Sequence, residues 1–143
     1  MLIMPGGVIR GVGMITAVGW SAHETAASVR AGICRCAEGG IDDLQGAPIV
    51  TAKVPDQDED GWQSHAVPAG IAARESRLLR LAASAIREAA SSAARPLPLV
   101  IGMPAVSMSD DQVLSALLAM TGSAIDVGAS SVVRGGRSAG LSA

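Results

Sequence analysis

Four stretches of the chain have the spacing of apolar residues that is typical of β-strands. Residues 6–13 predict a short buried strand with β-branched residues at its centre, and residues 47–54 predict a second one. Residues 97–102 are apolar without interruption, as expected for a strand in the middle of a sheet that is covered on both faces. Residues 124–133 contain one or two further strands.

Between these stretches the apolar residues recur at helical spacing. The first helix should begin at a capping box, because Ser21 can accept an N–H of the first turn while Glu24 reaches back to the Ser21 amide. Gly32 stands where a helix carboxyl-terminal cap is expected. The residues expected to face inward are Ala22, Ala26, Val29 and Ile33.

Two more helices are predicted farther along. One covers residues 74–93, and the other starts at Ser109. Strands that alternate with helices indicate an α/β layer architecture, here a mixed sheet covered by helices on both faces, within a single domain spanning residues 1–143. On the helix at residues 74–93, the residues predicted to face inward are Leu78, Leu79, Ala82, Ala85, Ile86, Ala89 and Ala93. On the helix that starts at Ser109, they are Val113, Leu114, Leu117, Leu118 and Met120.

Composition limits both the core and the function classes. Hydrophobic residues make up 49% of the chain but aromatic residues only 1%, so the core must be built from small and aliphatic side chains and its stability should be modest. A net charge of −2 gives no electrostatic basis for binding nucleic acid. No run of residues is long and apolar enough for a membrane helix, and no secretory signal is recognised, so we expect a cytoplasmic protein.

Cys34 and Cys36 form a Cys-x-Cys pair that is too closely spaced for an ordinary disulfide hairpin. A metal site would need further ligands, and neither His23 nor His65 has the spacing to supply them. The pair is therefore interpreted as two thiols in a reducing compartment, and no metal is expected. A catalytic role is not expected for either histidine, because no nucleophile accompanies it in sequence.

Two glycine-containing motifs resemble ligand-binding loops without completing them. A dinucleotide fingerprint would need a third glycine where Thr16 stands, so Gly11 and Gly13 are interpreted as a turn that requires glycine dihedral angles. Residues 56–61 match the first half of a calcium loop, but the position of the bidentate carboxylate is Val67. That segment is predicted to be a solvated acidic loop, and no cofactor is expected.

The opening of the chain resembles the first βα unit of the thiolase-like condensing enzymes, in particular the β-ketoacyl-acyl-carrier-protein synthases. The residues that carry the resemblance, in the family's usual order, are Gly11-Val12-Gly13, Thr16, Gly19, Glu24 and Arg30-Ala31-Gly32. The later helix and strand fit the next units of the family more loosely. The resemblance implies the amino-terminal half of a thiolase fold, incomplete at its carboxyl terminus.

The same resemblance implies a nucleophilic cysteine in a pattern close to Cys-x-x-Gly-x-x-Ala. Gly140 and Ala143 match the glycine and the alanine, which places Arg137 at the position of the cysteine. A guanidinium cannot act as a nucleophile. Ser138 could attack a thioester in principle, but no base for it is visible, so no catalytic residue is assigned.

These expectations leave three functions open. The leading hypothesis is a degenerate or truncated ketosynthase-like protein of fatty acid or polyketide biosynthesis, without condensing activity of its own, that binds a partner or an acyl group. The alternatives are a subunit or fragment of an active acyltransferase completed by a second half, and a non-enzymatic α/β interaction module. Half of a thiolase fold should expose an apolar face, so we expect a homo-oligomer or a complementary thiolase-like half as partner, with acyl carrier protein as a further candidate.

Overall fold

A computed structural model describes residues 8–55, 67–104 and 106–134, and these residues form a small α/β structure. The α/β class predicted from the alternating pattern is confirmed. The elements in chain order are α1 (Ala22–Arg30), β1 (Cys36–Asp42), β2 (Pro48–Ala52), α2 (Ala73–Ala89), β3 (Val100–Met103), α3 (Asp110–Thr121), a short 3-10 turn (Val127–Ala129) and β4 (Ser131–Arg134).

The strands of the described ranges form two separate two-stranded sheets, not the single mixed sheet that the pattern predicts. β1 and β2 form an antiparallel hairpin, whereas β3 and β4 are parallel and pair Val100 with Ser131 and Met103 with Arg134. The hairpin lies apart from the other sheet, and every residue of β1 is exposed. Its turn is closed by Asp43, whose carboxylate accepts the N–H groups of Gln45 and Ala47 at 2.9 and 2.8 Å.

The expected first strand is not formed by its described part, residues 8–13, which run as irregular backbone against α2. A Cβ atom on Gly11 would lie 2.1 Å from the Ala89 carbonyl oxygen, and one on Gly13 would lie 1.8 Å from that of Ala85. Neither glycine has a positive φ. They are therefore needed for close approach to the helix backbone, and the interpretation as glycine dihedral angles was wrong.

One carboxylate on α2 strengthens the same contact. Glu88 accepts the N–H of Met14 at 2.9 Å, and its two oxygens lie 2.8 and 3.0 Å from the N–H of Ala22, the first residue of α1. A negative charge at this position satisfies an N–H that the helix itself leaves without a partner. Glu88 therefore attaches both the loop and the start of α1 to α2.

Helix α1 begins and ends close to the predicted positions, but the face that it buries is not the predicted one. Ser21 accepts the N–H of Glu24 at 3.1 Å, while Glu24 accepts the N–H of Trp20 at 2.7 Å instead of that of Ser21. Gly32 has a φ of +70°, as a carboxyl-terminal cap requires. Thr25 is the one buried residue of the helix, whereas the predicted inward positions Ala26, Val29 and Ile33 are exposed.

The hydrophobic core lies where α2 and α3 pack on one face of β3 and β4. Leu79 and Ala83 on α2 and Leu117 on α3 are at most 1% exposed. Helix α2 ends at Ala89, four residues before its predicted end, because residues 90–92 turn away. The inward face predicted for α3 is confirmed: Val113, Leu114, Leu117 and Met120 are buried and Leu118 is half-buried.

No helix within the described ranges is long and apolar enough to cross a membrane.

Candidate functional site

The carboxyl ends of β3 and β4 define the first candidate site. In parallel α/β sheets, ligands bind most often just beyond the carboxyl ends of the strands. β3 ends at Met103 and β4 ends at Arg134, and these two residues pair in the parallel register. The loop between β3 and α3 therefore starts at the edge of the sheet where a ligand would be expected.

Arg134 attaches that loop to the end of β4. Its Nε donates to Asp110 Oδ1 at 2.7 Å, and its Nη1 and Nη2 donate to the carbonyl oxygens of Val106 and Met108 at 3.2 and 2.5 Å. The planar guanidinium thus uses its fork of donors on two carbonyl groups of the loop and on the first residue of α3. This arrangement fixes the start of α3 relative to the parallel strands.

Glu75 holds the same loop from the opposite side. This residue lies in the first turn of α2 and is only 7% exposed. Its Oε1 accepts the backbone N–H of Ser107 at 2.6 Å and the Ser107 hydroxyl at 2.7 Å. The Ser107 hydroxyl and N–H and the Met108 N–H lower the pKa of Glu75 because they stabilise its charged form, and Arg74 adds a favourable charge.

A cavity of about 450 Å³ opens beside Glu75. Its wall combines the carboxylate with polar and apolar groups from α3 and from residues 68–71. Most of the polar groups are already in use, since Glu75 binds Ser107 and the Gln112 side chain accepts the N–H of Ser109 at 2.9 Å. The cavity therefore has room for a small molecule but offers it few free polar groups, and no thiol or imidazole lines it among the described residues.

The Glu75 network predicts a measurable pH dependence of stability. The pKa of Glu75 is lower in the folded state than in the unfolded chain. The charged carboxylate therefore contributes its full stabilisation at pH values above the normal pKa of glutamate, and this stabilisation is lost as the pH falls through the lowered folded-state pKa. Glu75→Gln should therefore lower the urea midpoint near neutral pH, and the difference in midpoint between the variant and the wild type should narrow as the pH falls below the normal glutamate range. Glu38→Gln, on the exposed strand β1, serves as the matched control and should change the midpoint little. A gap for Glu75→Gln that stays constant with pH would contradict the assignment.

A larger apolar groove of about 830 Å³ lies at the other end of β3. We call it the amino-terminal groove. Ile86 and Ala89 of α2 form one wall, residues 97–99 form another, and Arg10 and Gly11 of the amino-terminal segment complete it. Leu97 keeps 40% of its surface exposed there. The groove offers apolar contact area with two cationic side chains, Arg10 and Arg95, in its lining, and a surface of this kind suits a protein or acyl partner.

Exposed apolar side chains continue from this groove along the chain in both directions. Ile9, next to Arg10, is 84% exposed, and Val100, next to Leu99, is 57% exposed. On the parallel sheet, Val100 lies on the face opposite the core, because Ile101 and Met103 face inward. The groove and Ile9 form the second candidate site, whereas Val100 is exposed on the other face of the sheet.

The residues that carry the family resemblance build one turn and the attachment of α1. Thr16 Oγ1 lies 3.0 Å from Thr25 Oγ1 and accepts the N–H of Val18 at 3.2 Å. A Cβ on Gly19 would lie 2.5 Å from the Thr25 nitrogen, so only glycine fits there. Thr16 and Gly19 therefore each have a packing reason within this chain.

The residues singled out for chemistry are not brought together. Arg137, Ser138, His65 and the acidic segment 56–61 lie outside the described residues. His23 is exposed on α1, and Cys34 and Cys36 are exposed free thiols. No group of three potential metal ligands occurs in the part of the chain that the structure describes.

The two residues that organise the first site were not predicted from the sequence. Glu75 could have been noticed as an acid in the first turn of a predicted helix, but such acids usually remain in solvent. Arg134 ends a strand, and nothing in its neighbours indicates that it bonds a loop 26 residues earlier. Both depend on contacts that only the fold brings together.

Comparisons with protein-family models, with curated protein sequences and with solved structures find no match for this chain.

Proposed function

We propose that this chain is a thiolase-like half, related to the amino-terminal half of a β-ketoacyl-acyl-carrier-protein synthase, that functions by binding a second α/β half. It has no condensing activity alone. The observation that carries the proposal is the parallel pair β3–β4, which has only two strands in the described ranges and packs helices on one face. Parallel sheets are normally covered on both faces, so the second face of this pair is expected to be covered by the partner on binding.

The exposed surface indicates what kind of partner fits. The amino-terminal groove is lined by aliphatic side chains together with Arg10 and Arg95, and Ile9 beside it is 84% exposed. The formal net charge of the chain is only −2, so no strong field would prevent two copies from meeting. A second copy of this chain is the simplest partner, because the same apolar patch on both copies can pair around a two-fold axis.

Light scattering over a range of concentrations tests the proposal. The wild-type chain should form species of about twice the 14.3 kDa monomer mass. Ile9→Asp places a charge beside the groove and should shift the protein toward monomer by at least about tenfold in dissociation constant, since a buried unpaired charge costs more than 1.4 kcal/mol. Leu44→Asp is the matched control, because Leu44 is 100% exposed in the hairpin turn.

Two outcomes would overturn this assignment. A wild-type chain that stays a monodisperse monomer at every concentration would remove the self-association on which it rests. Equal effects of Ile9→Asp and Leu44→Asp would place the contact elsewhere on the molecule.

Incubation with an acyl thioester separates the proposal from the acyltransferase alternative. In a variant with Cys34→Ser and Cys36→Ser, which lacks the two exposed thiols that could exchange with the thioester, a binding half should keep its unmodified mass, whereas an active acyltransferase chain should gain an acyl group in a stoichiometric reaction. Mass spectrometry of the intact chain reads out either result, and covalent acylation would overturn the claim that the chain has no condensing chemistry of its own.

A further inference from the structure

The cavity beside Glu75 contains a nearly buried carboxylate that no neighbouring cation neutralises. Glu75 is 7% exposed and lines the cavity of about 450 Å³. It forms no ion pair with any residue that the structure describes. Arg74 adds a favourable charge, but it is exposed and does not line the cavity. A buried charge without a counter-ion is costly, so a cation inside the cavity would be stabilised.

The carboxylate of Glu75 can accept a further hydrogen bond. Both bonds from Ser107, at 2.6 and 2.7 Å, go to Oε1. The Met108 N–H is the one further donor that the described residues bring to this carboxylate. Because an ionised carboxylate has about four acceptor positions, Glu75 keeps capacity for a donor from a bound molecule.

The rest of the wall indicates the kind of molecule that fits. Glu75 is the one charged side chain among the described residues that line the cavity, and Arg134, on the far side of the loop, is paired with Asp110 at 2.7 Å. The volume lies within the range of small-molecule sites, about 300–1,000 Å³. The wall also carries apolar side chains, which are Pro68, Ala69, Ile71, Met108 and Ala116.

A divalent metal ion does not suit this cavity. Calcium and magnesium take about six or more oxygen ligands, whereas a single carboxylate lines the cavity. No group of three potential metal ligands occurs within residues 8–55, 67–104 and 106–134. An ammonium group needs fewer partners, because its three N–H donors can be shared between one carboxylate and water.

We propose that this cavity binds a small organic ammonium ion, whose charged group donates to the Glu75 carboxylate and whose apolar body contacts the aliphatic wall. The proposal does not depend on the function proposed above, because the amino-terminal groove lies at the other end of β3 and shares no lining residue with this cavity.

Nuclear magnetic resonance titration of the whole chain with 2-phenylethylammonium tests the assignment. This amine is charged near neutral pH, as the lysine side chain is. The amide signals of Ser107 and Ser115, which line the cavity, should shift to saturation, whereas the amide of Val50 in the exposed hairpin should not move. The uncharged 2-phenylethanol and the anionic 3-phenylpropanoate should bind at least about tenfold more weakly, since both lack the cationic donor.

Two variants of the cavity wall and one control locate the bound amine. Glu75→Gln removes the charge, and Ser115→Arg adds a cation at an exposed position of the wall that the Glu75 network does not use. Each should weaken the binding of the amine by at least about tenfold. Ala119→Arg places the same cation on an exposed position of α3 outside the cavity, and it should change the dissociation constant by less than about twofold.

Each result decides for or against the proposal. The absence of a saturable shift in the wild type, or binding of the alcohol as tight as that of the amine, would overturn it. Equal weakening by Ala119→Arg and Ser115→Arg would show attraction by the whole surface instead of a site. Circular dichroism confirms the fold of each variant, and Ser115→Arg alone decides if Glu75→Gln does not fold.

Discussion

Gly13→Ala should detach the amino-terminal segment from α2 and cost about 3 kcal/mol in the free energy of unfolding. The added methyl carbon would lie 1.8 Å from the Ala85 carbonyl oxygen and 2.9 Å from the Ala89 nitrogen. Both are backbone atoms of a helix, so neither can rotate away. Urea unfolding measures the loss, and hydrogen exchange at the Met14 amide, which donates to Glu88 at 2.9 Å, reports the detachment directly.

Gly128→Ala is the control for the added methyl group. The nearest atom to a Cβ there is Asp126 Oδ1 at 3.5 Å, which is ordinary contact. This variant should remain within about 0.5 kcal/mol of the wild type. If Gly13→Ala were equally mild, the close packing of the segment against α2 would be wrong.

Leu117→Ala should destabilise the core by about 3 kcal/mol. Leu117 is fully buried, at 0% exposure, between the residues that α2 and β3 contribute to the core. Removal of its isobutyl group leaves a void, because the buried residues within the described ranges carry small and aliphatic side chains that have little ability to fill it. The free energy of unfolding from denaturant titration measures the effect.

Leu44→Ala provides the matched comparison, since Leu44 is 100% exposed. It should leave the unfolding midpoint unchanged within error. The two destabilised variants should also differ in where hydrogen exchange rises. For Leu117→Ala it should rise throughout α3, and for Gly13→Ala mainly before and within α1. The same pattern in both variants would mean that the two regions unfold as one unit.

The elements with the strongest periodic pattern were predictable from sequence. The strip of leucines in α3 fixed both its inward face and its start at Ser109, where the capping box with Gln112 is formed. The strand at 97–102 was found in part, since β3 covers Val100–Met103. Local signals sufficed here because periodicity and capping are local properties.

What failed depended on long-range contacts. The apolar spacing of α1 predicted burial, yet Val29 is 63% exposed, since the described part of the chain presents no layer to cover it. The strand β1 was missed because its Gly39-Gly40 pair and polar residues give no strand pattern. Likewise, no local feature indicates that Glu75 and Arg134 meet one loop from two sides.

The β1–β2 hairpin is nearly independent of the folding core, with every residue of β1 in solvent and Thr51 alone in β2 half-buried. Selection for a stable fold therefore acts weakly on this segment, and its sequence is free to drift across generations at little thermodynamic cost. A residue that evolution retains in the hairpin is therefore retained for a role at the protein surface and not for the stability of the fold. The thiols at the base of the hairpin are the first positions at which such retention would be informative.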